Sequence, residues 1–144
     1  MNVRQILASK GRSVITVRPD SQVREAVSLL TRHGIGALVV SDESGKPVGI
    51  ISERDIVRGA ARDEQVFSQL VSDIMTKELV TGIPQDDLSS IAHTMTERRF
   101  RHLPIMESGK LIGIISIGDI LKAERDKYRG EIDTLETQIL ADEK

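Results

Sequence analysis

The segment Gly45–Ile56 reads GKPVGIISERDI, and the segment Gly109–Ile120 reads GKLIGIISIGDI. The chain therefore contains one motif twice, Gly-Ile-Ile-Ser-x-x-Asp. The similarity extends outward from this motif, so that Val14–Arg58 aligns with Leu79–Lys122. An internal duplication normally means supersecondary units that bury their apolar faces against each other. We therefore predict two similar repeats that fold together as one module.

A short apolar leader before each repeat is also duplicated. Three leader positions return at the same spacing, since Val3, Ile6 and Leu7 recur as Val71, Ile74 and Met75. We therefore place the first repeat at residues 3–62, the second at residues 71–122 and a C-terminal helix at residues 123–144. The residues that join the repeats, 60–75, carry apolar side chains at three- and four-residue spacing, which predicts a helical connection.

Each repeat carries the pattern strand, helix, strand, strand, helix. In the first repeat the predicted elements are a strand at Val14–Val17, a helix from the N-cap Ser21 to Gly34, a buried strand at Ala37–Val40, a turn at Asp42–Gly45, a strand at Val48–Ile51 and a helix that Ser52 opens. Short apolar runs that alternate with helices are typical of α/β proteins. The predicted fold is therefore α/β, with two pseudo-symmetric β-α-β-β-α repeats packed as one module and a C-terminal helical extension.

The composition limits the classes of function. The 144 residues fit one compact domain, and a net charge of −2 with scattered basic residues disfavours nucleic acid as a partner. The absence of cysteine excludes thiolate catalysis and cysteine–zinc sites, and the three histidines show no metal-ligand spacing. No apolar run approaches the roughly 20 residues of a membrane span, and the N-terminus lacks a signal-peptide core. We expect a soluble, cytoplasmic protein without a metal site.

The repeated Ser-x-x-Asp allows two interpretations. The spacing is that of a capping box, in which the serine side chain accepts the backbone N–H of the acidic residue and the acidic side chain accepts the backbone N–H of the serine. The two pairs are Ser52 with Asp55 and Ser116 with Asp119. Alternatively, the helix N-terminus offers N–H groups to a phosphate, and the ionised aspartate accepts hydrogen bonds from both hydroxyls of a ribose. A glycine three residues before each serine would let another group approach the strand.

These motifs resemble a tandem pair of CBS domains, also called a Bateman module, from Val3 to about Lys122. The most specific marks are the leader DIMT at 73–76, the strand RHLPI at 101–105 and the duplicated Gly-Ile-Ile-Ser-x-x-Asp. The variant is similar to the stand-alone bacterial CBS-pair proteins, which carry no enzyme or transporter. The resemblance implies two clefts between the repeats for an adenosine derivative such as AMP, ATP, NAD or S-adenosylmethionine.

The resemblance also assigns residues to the two clefts. In the family the aspartate holds the ribose, the serine lies near ribose or phosphate, and strand residues hold the adenine partly through backbone atoms. One cleft, which we call the Asp119 cleft, would use Asp119, Ser116 and Ile114 with Thr16, Ile35 and Ala37. The other, the Asp55 cleft, would use Asp55, Ser52 and Ile50 with Thr81 and the strand at 100–103.

The two clefts differ in charge. Gly118 of the second motif replaces Arg54 of the first, and the dipeptide Arg101-His102 replaces a neutral pair in the first repeat. Cationic side chains therefore concentrate where Arg54, Arg58 and Arg101-His102 converge. Arginine forks suit phosphate oxygens, which favours ligands with more phosphate in the Asp55 cleft. The alternatives are that the arginines lie on a solvated helix face and that the histidine ring is hydrogen-bonded to backbone groups.

The sequence offers little evidence of an enzyme active site. Neither motif serine lies in a Gly-x-Ser-x-Gly elbow, and Gly34–Gly36 precedes a strand, so it is no dinucleotide fingerprint. We therefore predict a non-enzymatic sensor, in which an adenine nucleotide shifts geometry or dimerisation and an unidentified partner protein reads the change. The alternative is a structural dimerisation module without a physiological ligand.

The C-terminal segment carries a heptad-like apolar stripe. Its members recur at intervals of four, three and four residues: Tyr128, Ile132, Leu135 and Ile139. Two arrangements fit this stripe, packing on the chain's own module or contact with a partner helix. We expect a homodimer in which the C-terminal helix contacts the partner or braces the dimer surface.

Overall fold

A computed structural model of the chain describes residues 1–11 and 13–142, and the side chains of all of these except 133, 134 and 136–142. Its helices are α1 (Val3–Lys10), α2 (Val23–His33), α3 (Glu53–Arg62), α4 (Val71–Ile74), α5 (Leu88–Arg98) and α6 (Ile117–Asp142). Its strands are β1 (Thr16–Val17), β2 (Ala37–Ser41), β3 (Pro47–Ser52), β4 (His102–Glu107) and β5 (Lys110–Ser116). This order confirms the predicted α/β fold with two repeats and a C-terminal helix.

The two repeats use the same sheet register at the motif. In the first repeat β1 pairs in parallel with β2, and β2 pairs antiparallel with β3. In the second repeat β4 pairs antiparallel with β5. Ala37 lies opposite Ser52, and His102 lies opposite Ser116, so each motif serine ends a strand beside an equivalent neighbour.

The first strand of each repeat is shorter than predicted. In the first repeat it spans Thr16–Val17 instead of Val14–Val17. In the second repeat it shrinks to one parallel bridge between Gly82 and Ile105. Glycine is a poor strand former, and a Cβ at Gly82 would lie 2.8 Å from Leu103 Cδ2. The chain is therefore too close to the neighbouring strand for a β-branched residue such as the valine of the first repeat.

Each leader packs against the other repeat. The second-repeat core joins residues of α1 to those of its own elements: Val3, Ile6, Leu7, Leu88, Ile91, Met95, Leu103, Ile105, Ile115 and Ile120. The first-repeat core includes Val71 of α4, with Ile74 and Met75 packed against it. Burial of this apolar surface is the main stabilising term, so neither repeat completes its core with its own leader.

Backbone hydrogen bonds also hold these exchanged leaders, each of which lies against the other repeat. The Val3 N–H donates to Asp86 O at 3.0 Å, ahead of α5, and the Val23 N–H donates to Gln69 O at 2.8 Å, ahead of α4. The second contact overturns the prediction that Ser21 caps α2. The Ser21 carbonyl instead accepts the Val71 N–H at 2.8 Å, and the N-cap of α2 is Gln22, without a side-chain hydrogen bond.

The connection between the repeats is not one continuous helix, as the spacing had predicted. α3 ends at Arg62, a 3-10 turn covers Val66–Ser68, and α4 covers only four residues. The Asp63 side chain accepts the Gln65 N–H at 2.8 Å, which competes with helical backbone bonding. The extended pairing at Gln69 then interrupts the helix a second time.

α6 continues past the second repeat without a break, from Ile117 to Asp142. Ile120 is buried in the second-repeat core, whereas Tyr128, Ile132 and Leu135 are 54–61% exposed. These three members of the predicted stripe therefore do not pack on the chain's own module. The fourth, Ile139, lies outside the residues whose side chains are described.

Candidate functional site

The first Ser-x-x-Asp forms a capping box at the start of α3. The Ser52 N–H donates to Asp55 Oδ2 at 2.9 Å, and the Asp55 N–H donates to Ser52 Oγ at 3.3 Å. A second residue serves the other carboxylate oxygen, since Thr76 Oγ1 donates to Asp55 Oδ1 at 3.1 Å. Thr76 follows α4, so the exchanged leader of the second repeat supplies this hydroxyl.

The second Ser-x-x-Asp forms the same box at the start of α6. The Ser116 N–H donates to Asp119 Oδ2 at 2.8 Å, and the Asp119 N–H donates to Ser116 Oγ at 3.1 Å. Here the exchanged leader supplies a cation instead of a hydroxyl. Lys10 Nζ, at the end of α1, lies 2.6 Å from Asp119 Oδ2. The capping interpretation is therefore confirmed for both motifs, and each aspartate also has a partner from a leader.

The two leaders satisfy equivalent backbone carbonyls by different means. The Thr76 N–H donates to Ile50 O at 2.8 Å, and Lys10 Nζ donates to Ile114 O at 2.8 Å. The first repeat thus uses a backbone amide and a hydroxyl where the second uses one ammonium group. Lys10 was not among the predicted site residues, because a lysine at a helix end has an ordinary explanation in the helix dipole.

Two opposing effects set the pKa of Asp119. Partial burial raises the pKa of the carboxyl, whereas the hydrogen bonds from Lys10 and Ser116 and the lysine charge lower it. The hydrogen bonds and the charge together outweigh burial, so the pKa of Asp119 lies below its ordinary value. The Asp119 carboxylate is therefore ionised at neutral pH and held against an internal cation.

A cavity of about 1170 Å³ opens beside the first motif. Residues predicted for the Asp55 cleft line it: Ile50, Ser52, Arg54, Asp55, Arg58, Phe100, Arg101 and His102. Thr81 is exposed and lies outside this lining, where Thr76 and Leu79–Val80 are found instead. The structure therefore brings the first motif together with the strand of the second repeat, and the volume exceeds the range of about 300–1,000 Å³ that is typical of small-molecule sites.

The cavity carries an excess of positive charge. Its arginines are Arg54, Arg58, Arg98, Arg99 and Arg101, and its acidic residues are Glu53, Asp55 and Glu78. The convergence of three of these arginines was predicted from the sequence, whereas Arg98 and Arg99 were not among the predicted residues. A signal was present, because Arg99 stands where the first repeat has Gly34 after its helix. Arg99 and Gly34 both adopt the left-handed conformation, with φ 60°.

His102 connects the two repeats at the edge of the cavity. A Cβ at Gly36 would lie 3.4 Å from His102 Nε2, so the glycine makes room for the ring. Burial lowers the pKa of His102, and the positive charge of Lys10 lowers it further. The neutral form of the imidazole is therefore favoured at pH 7, and the ring adds no charge to the cavity.

The remaining predicted residues lie in the first repeat. Thr16 pairs with Val39 in the sheet, and Ala37, which is buried, lies opposite Ser52. Ile35 packs against the first-repeat core. Their joint use with Asp119 in a second cleft stays a prediction.

Among the described residues, no group of three histidine, aspartate or glutamate side chains has the arrangement of a metal site. The helices of the described part of the chain include none that is long and apolar enough to cross a membrane.

Comparisons with known proteins identify the family of the two repeats. The family model of the CBS domain matches residues 3–62 and 71–126. The mitochondrial CBS domain-containing protein CBSX3 of Arabidopsis thaliana is 34% identical over an alignment of 146 positions, which covers 95% of this chain and 71% of that protein.

Solved structures show the same fold. A CBS-domain containing protein of Agrobacterium tumefaciens has a TM-score of 0.83 and 44% identity, over 85% of this chain and 92% of that chain. The CBS domain pair of protein MJ0100, solved in complex with methylthioadenosine and S-adenosyl-L-methionine, has a TM-score of 0.78 and 26% identity. That comparison covers 88% of this chain and 98% of that chain.

Proposed function

The chain belongs to the CBS domain family, and from this premise we propose that it is a non-enzymatic regulatory module that binds an adenosine derivative in the Asp55 cleft. The candidate ligands are AMP, ATP, NAD and S-adenosylmethionine. One observation carries the proposal. The motif carboxylate of the first repeat and the arginines of the second repeat line the same cavity.

The cavity offers a partner to each part of such a ligand. The two ribose hydroxyls would donate to the Asp55 carboxylate, and one of them would replace the hydroxyl of Thr76 at Oδ1. The phosphate would bind the arginines, which prefer phosphate oxygens in bidentate geometry. The apolar lining of Ile50, Leu79 and Val80 would hold the adenine ring.

The solved complex of the MJ0100 domain pair supports an adenosine-type ligand, because methylthioadenosine and S-adenosyl-L-methionine both contain adenosine. Since the walls of the Asp55 cleft come from both repeats, ligand binding would fix their relative position. That coupling would transmit occupancy to a homodimer surface or to a partner protein. A cytoplasmic location, and the absence of nucleic acid and membrane partners, stay predictions.

A structural dimerisation module without a ligand is the second candidate. The motif carboxylates already have hydrogen-bond partners within the chain, and α6 exposes Tyr128, Ile132 and Leu135. This candidate needs no ligand in either cleft. A titration with ligand separates the two functions.

The test is calorimetric titration with AMP, ATP, NAD and S-adenosylmethionine, together with mass spectrometry of any ligand released from freshly purified protein. Asp55→Ala and Asp55→Asn should each weaken binding about tenfold or more, because a hydrogen bond to a charged group is worth about 1.5–3 kcal/mol. Asp55→Asn retains an oxygen for the cap, so it separates loss of binding from loss of the helix cap. Absence of binding by all four ligands, or unchanged affinity in both variants, would overturn the proposed function.

A further inference from the structure

The chain's own lysine occupies the second motif. Lys10 Nζ contacts Asp119 Oδ2 at 2.6 Å and Ile114 O at 2.8 Å. These are the carboxylate and the strand residue that the family resemblance assigns to the ligand of the Asp119 cleft. One ammonium group therefore satisfies two groups that a nucleoside would need there.

In the part of the chain that the structure describes, the first motif has no such cation in the same place. Asp55 Oδ1 accepts a neutral hydroxyl, that of Thr76, and the equivalent carbonyl of Ile50 accepts a backbone amide. A ribose hydroxyl can replace a threonine hydroxyl at a carboxylate without loss of charge pairing. At Asp119 it would have to displace an ammonium, and the carboxylate would then lose the opposite charge that pairs it.

The position of Lys10 is fixed by a buried helix. Val3, Ile6 and Leu7 of α1 are each at most 6% exposed in the second-repeat core. A Cβ at Gly113 would lie 2.5 Å from Leu7 Cδ2, so α1 lies directly against β5. Lys10 therefore approaches Asp119 from a rigid element instead of a mobile loop.

We propose that Lys10 closes the Asp119 cleft to a ribose, so that each chain binds one nucleoside ligand, at Asp55. The inference rests on the proposed function for its ligand class and adds a residue that makes the duplicated sites unequal. It assigns to Lys10 the role of an internal competitor with the ribose for the carboxylate of the second motif.

The test is isothermal titration calorimetry of the full-length protein with AMP as the probe. The wild-type protein should bind one AMP per chain, and this site should be lost in Asp55→Ala and retained in Asp119→Ala. Lys10→Met should bind two AMP per chain, which corresponds to a gain of about tenfold or more in affinity at the Asp119 cleft, and Asp119→Ala in that background should remove the second site. Lys10→Arg keeps the cation and should restore one site.

Lys110→Met is the matched control, because it removes one lysine charge at the start of β5, six residues before Ser116, and should leave one site. If the wild-type protein binds two AMP, one at a site that depends on Asp55 and one at a site that depends on Asp119, the inference is overturned and the proposed function stays intact. The same holds if Lys10→Met still binds one AMP, or binds AMP more weakly than the wild-type protein. Absence of AMP binding by both proteins would overturn the inference, and absence of all four adenine ligands would overturn the proposed function as well.

Discussion

Arg99 ends α5 in the left-handed conformation, with φ 60° and ψ 41°, and its counterpart Gly34 has φ 60° and ψ 40°. Glycine adopts this conformation without steric cost, whereas an L-residue with a Cβ is strained in it. The strained arginine lines the Asp55 cleft. A backbone outlier of this kind points from the observed strain to a functional hypothesis, here the binding of phosphate.

Arg99→Gly should therefore separate stability from binding. We expect the free energy of unfolding to rise by about 1 kcal/mol, because the left-handed strain is relieved. ATP binding should weaken while adenosine binding stays unchanged, because only ATP presents phosphate oxygens to the guanidinium. Urea unfolding and calorimetry measure the two effects, and Arg99→Lys is the control that keeps the charge. Equal losses for adenosine and ATP would contradict a phosphate role for Arg99.

The pairing of Lys10 with Asp119 should appear as a dependence of stability on acid pH. Because the folded-state pKa of Asp119 lies below its ordinary value of 3.8, the pair stabilises the fold above that pH. This stabilisation is lost as the pH falls through the folded-state value. Both side chains are partly exposed, so we expect a difference of at most about 1 kcal/mol between wild-type protein and Lys10→Met.

Urea unfolding at pH 7 and pH 3 measures this difference. The gap between wild-type protein and Lys10→Met should be present at pH 7 and smaller at pH 3. Lys110→Met should show no comparable change between the two pH values. A gap of equal size at both pH values would show that Lys10 acts through packing of its alkyl chain instead of its charge.

At the scale of elements, the decisive feature is the approach of each leader to a strand of the other repeat. The glycine of each motif leaves room for it, Gly113 for Leu7 and Gly49 for Met75 and the Thr76 carbonyl. The group that the motif glycines admit is therefore a leader of the same chain. Side chains at these positions would collide with a residue 2.5–2.9 Å away.

The two glycines should respond differently to substitution. Gly113→Ala should lower the free energy of unfolding by about 1–3 kcal/mol through overpacking. Leu7→Ala should relieve that collision, because the nearest atom is the end of a flexible side chain, so the double variant should be more stable than the sum of the single losses predicts. For Gly49→Ala, Met75→Ala should give less relief, because the Thr76 carbonyl remains 2.9 Å away.

A double-mutant cycle by urea unfolding measures both coupling energies. Strict additivity of Leu7→Ala and Gly113→Ala would show that α1 does not lie against β5 in solution. It would also remove the rigid support that places Lys10 beside Asp119.

At the scale of the whole molecule, α6 exposes apolar side chains beyond the second repeat. Tyr128, Ile132 and Leu135 follow Leu121, which is 59% exposed, at intervals of seven, four and three residues. Each such side chain is worth about 1.5–3 kcal/mol when it is buried. The exposed stripe therefore favours contact with a second copy of the chain.

We expect the full-length protein to be a homodimer that depends on this helix. Light scattering should give a mass near twice the 15.9 kDa of the chain. Truncation after Lys122 should weaken association, because it removes Tyr128, Ile132 and Leu135. A full-length protein that stays monomeric at micromolar concentration would refute the dimer. A truncated protein that dimerises as tightly would remove α6 from the interface.

The sequence by itself determined the features whose causes lie within a few residues. The capping boxes at Ser52 and Ser116 are confirmed because their partners lie three positions away, and α2 ends at Gly34 as predicted because glycine adopts a left-handed cap. The convergence of Arg54 and Arg101 was also anticipated, through a family resemblance that includes the packing of the repeats. The predicted cap at Ser21 was wrong because the N–H of Val71, at the start of the distant α4, bonds the Ser21 carbonyl.

Only the tertiary structure decided which leader serves which repeat. Because the repeats are similar, either apolar leader could complete either core, and local propensity does not distinguish the two arrangements. The choice depends on contacts across the whole chain, such as that between Lys10 and Asp119, which are 109 positions apart. That contact follows from the packing of α1 on the second repeat. It gives two nearly identical motifs different partners, a lysine at Asp119 and a threonine hydroxyl at Asp55.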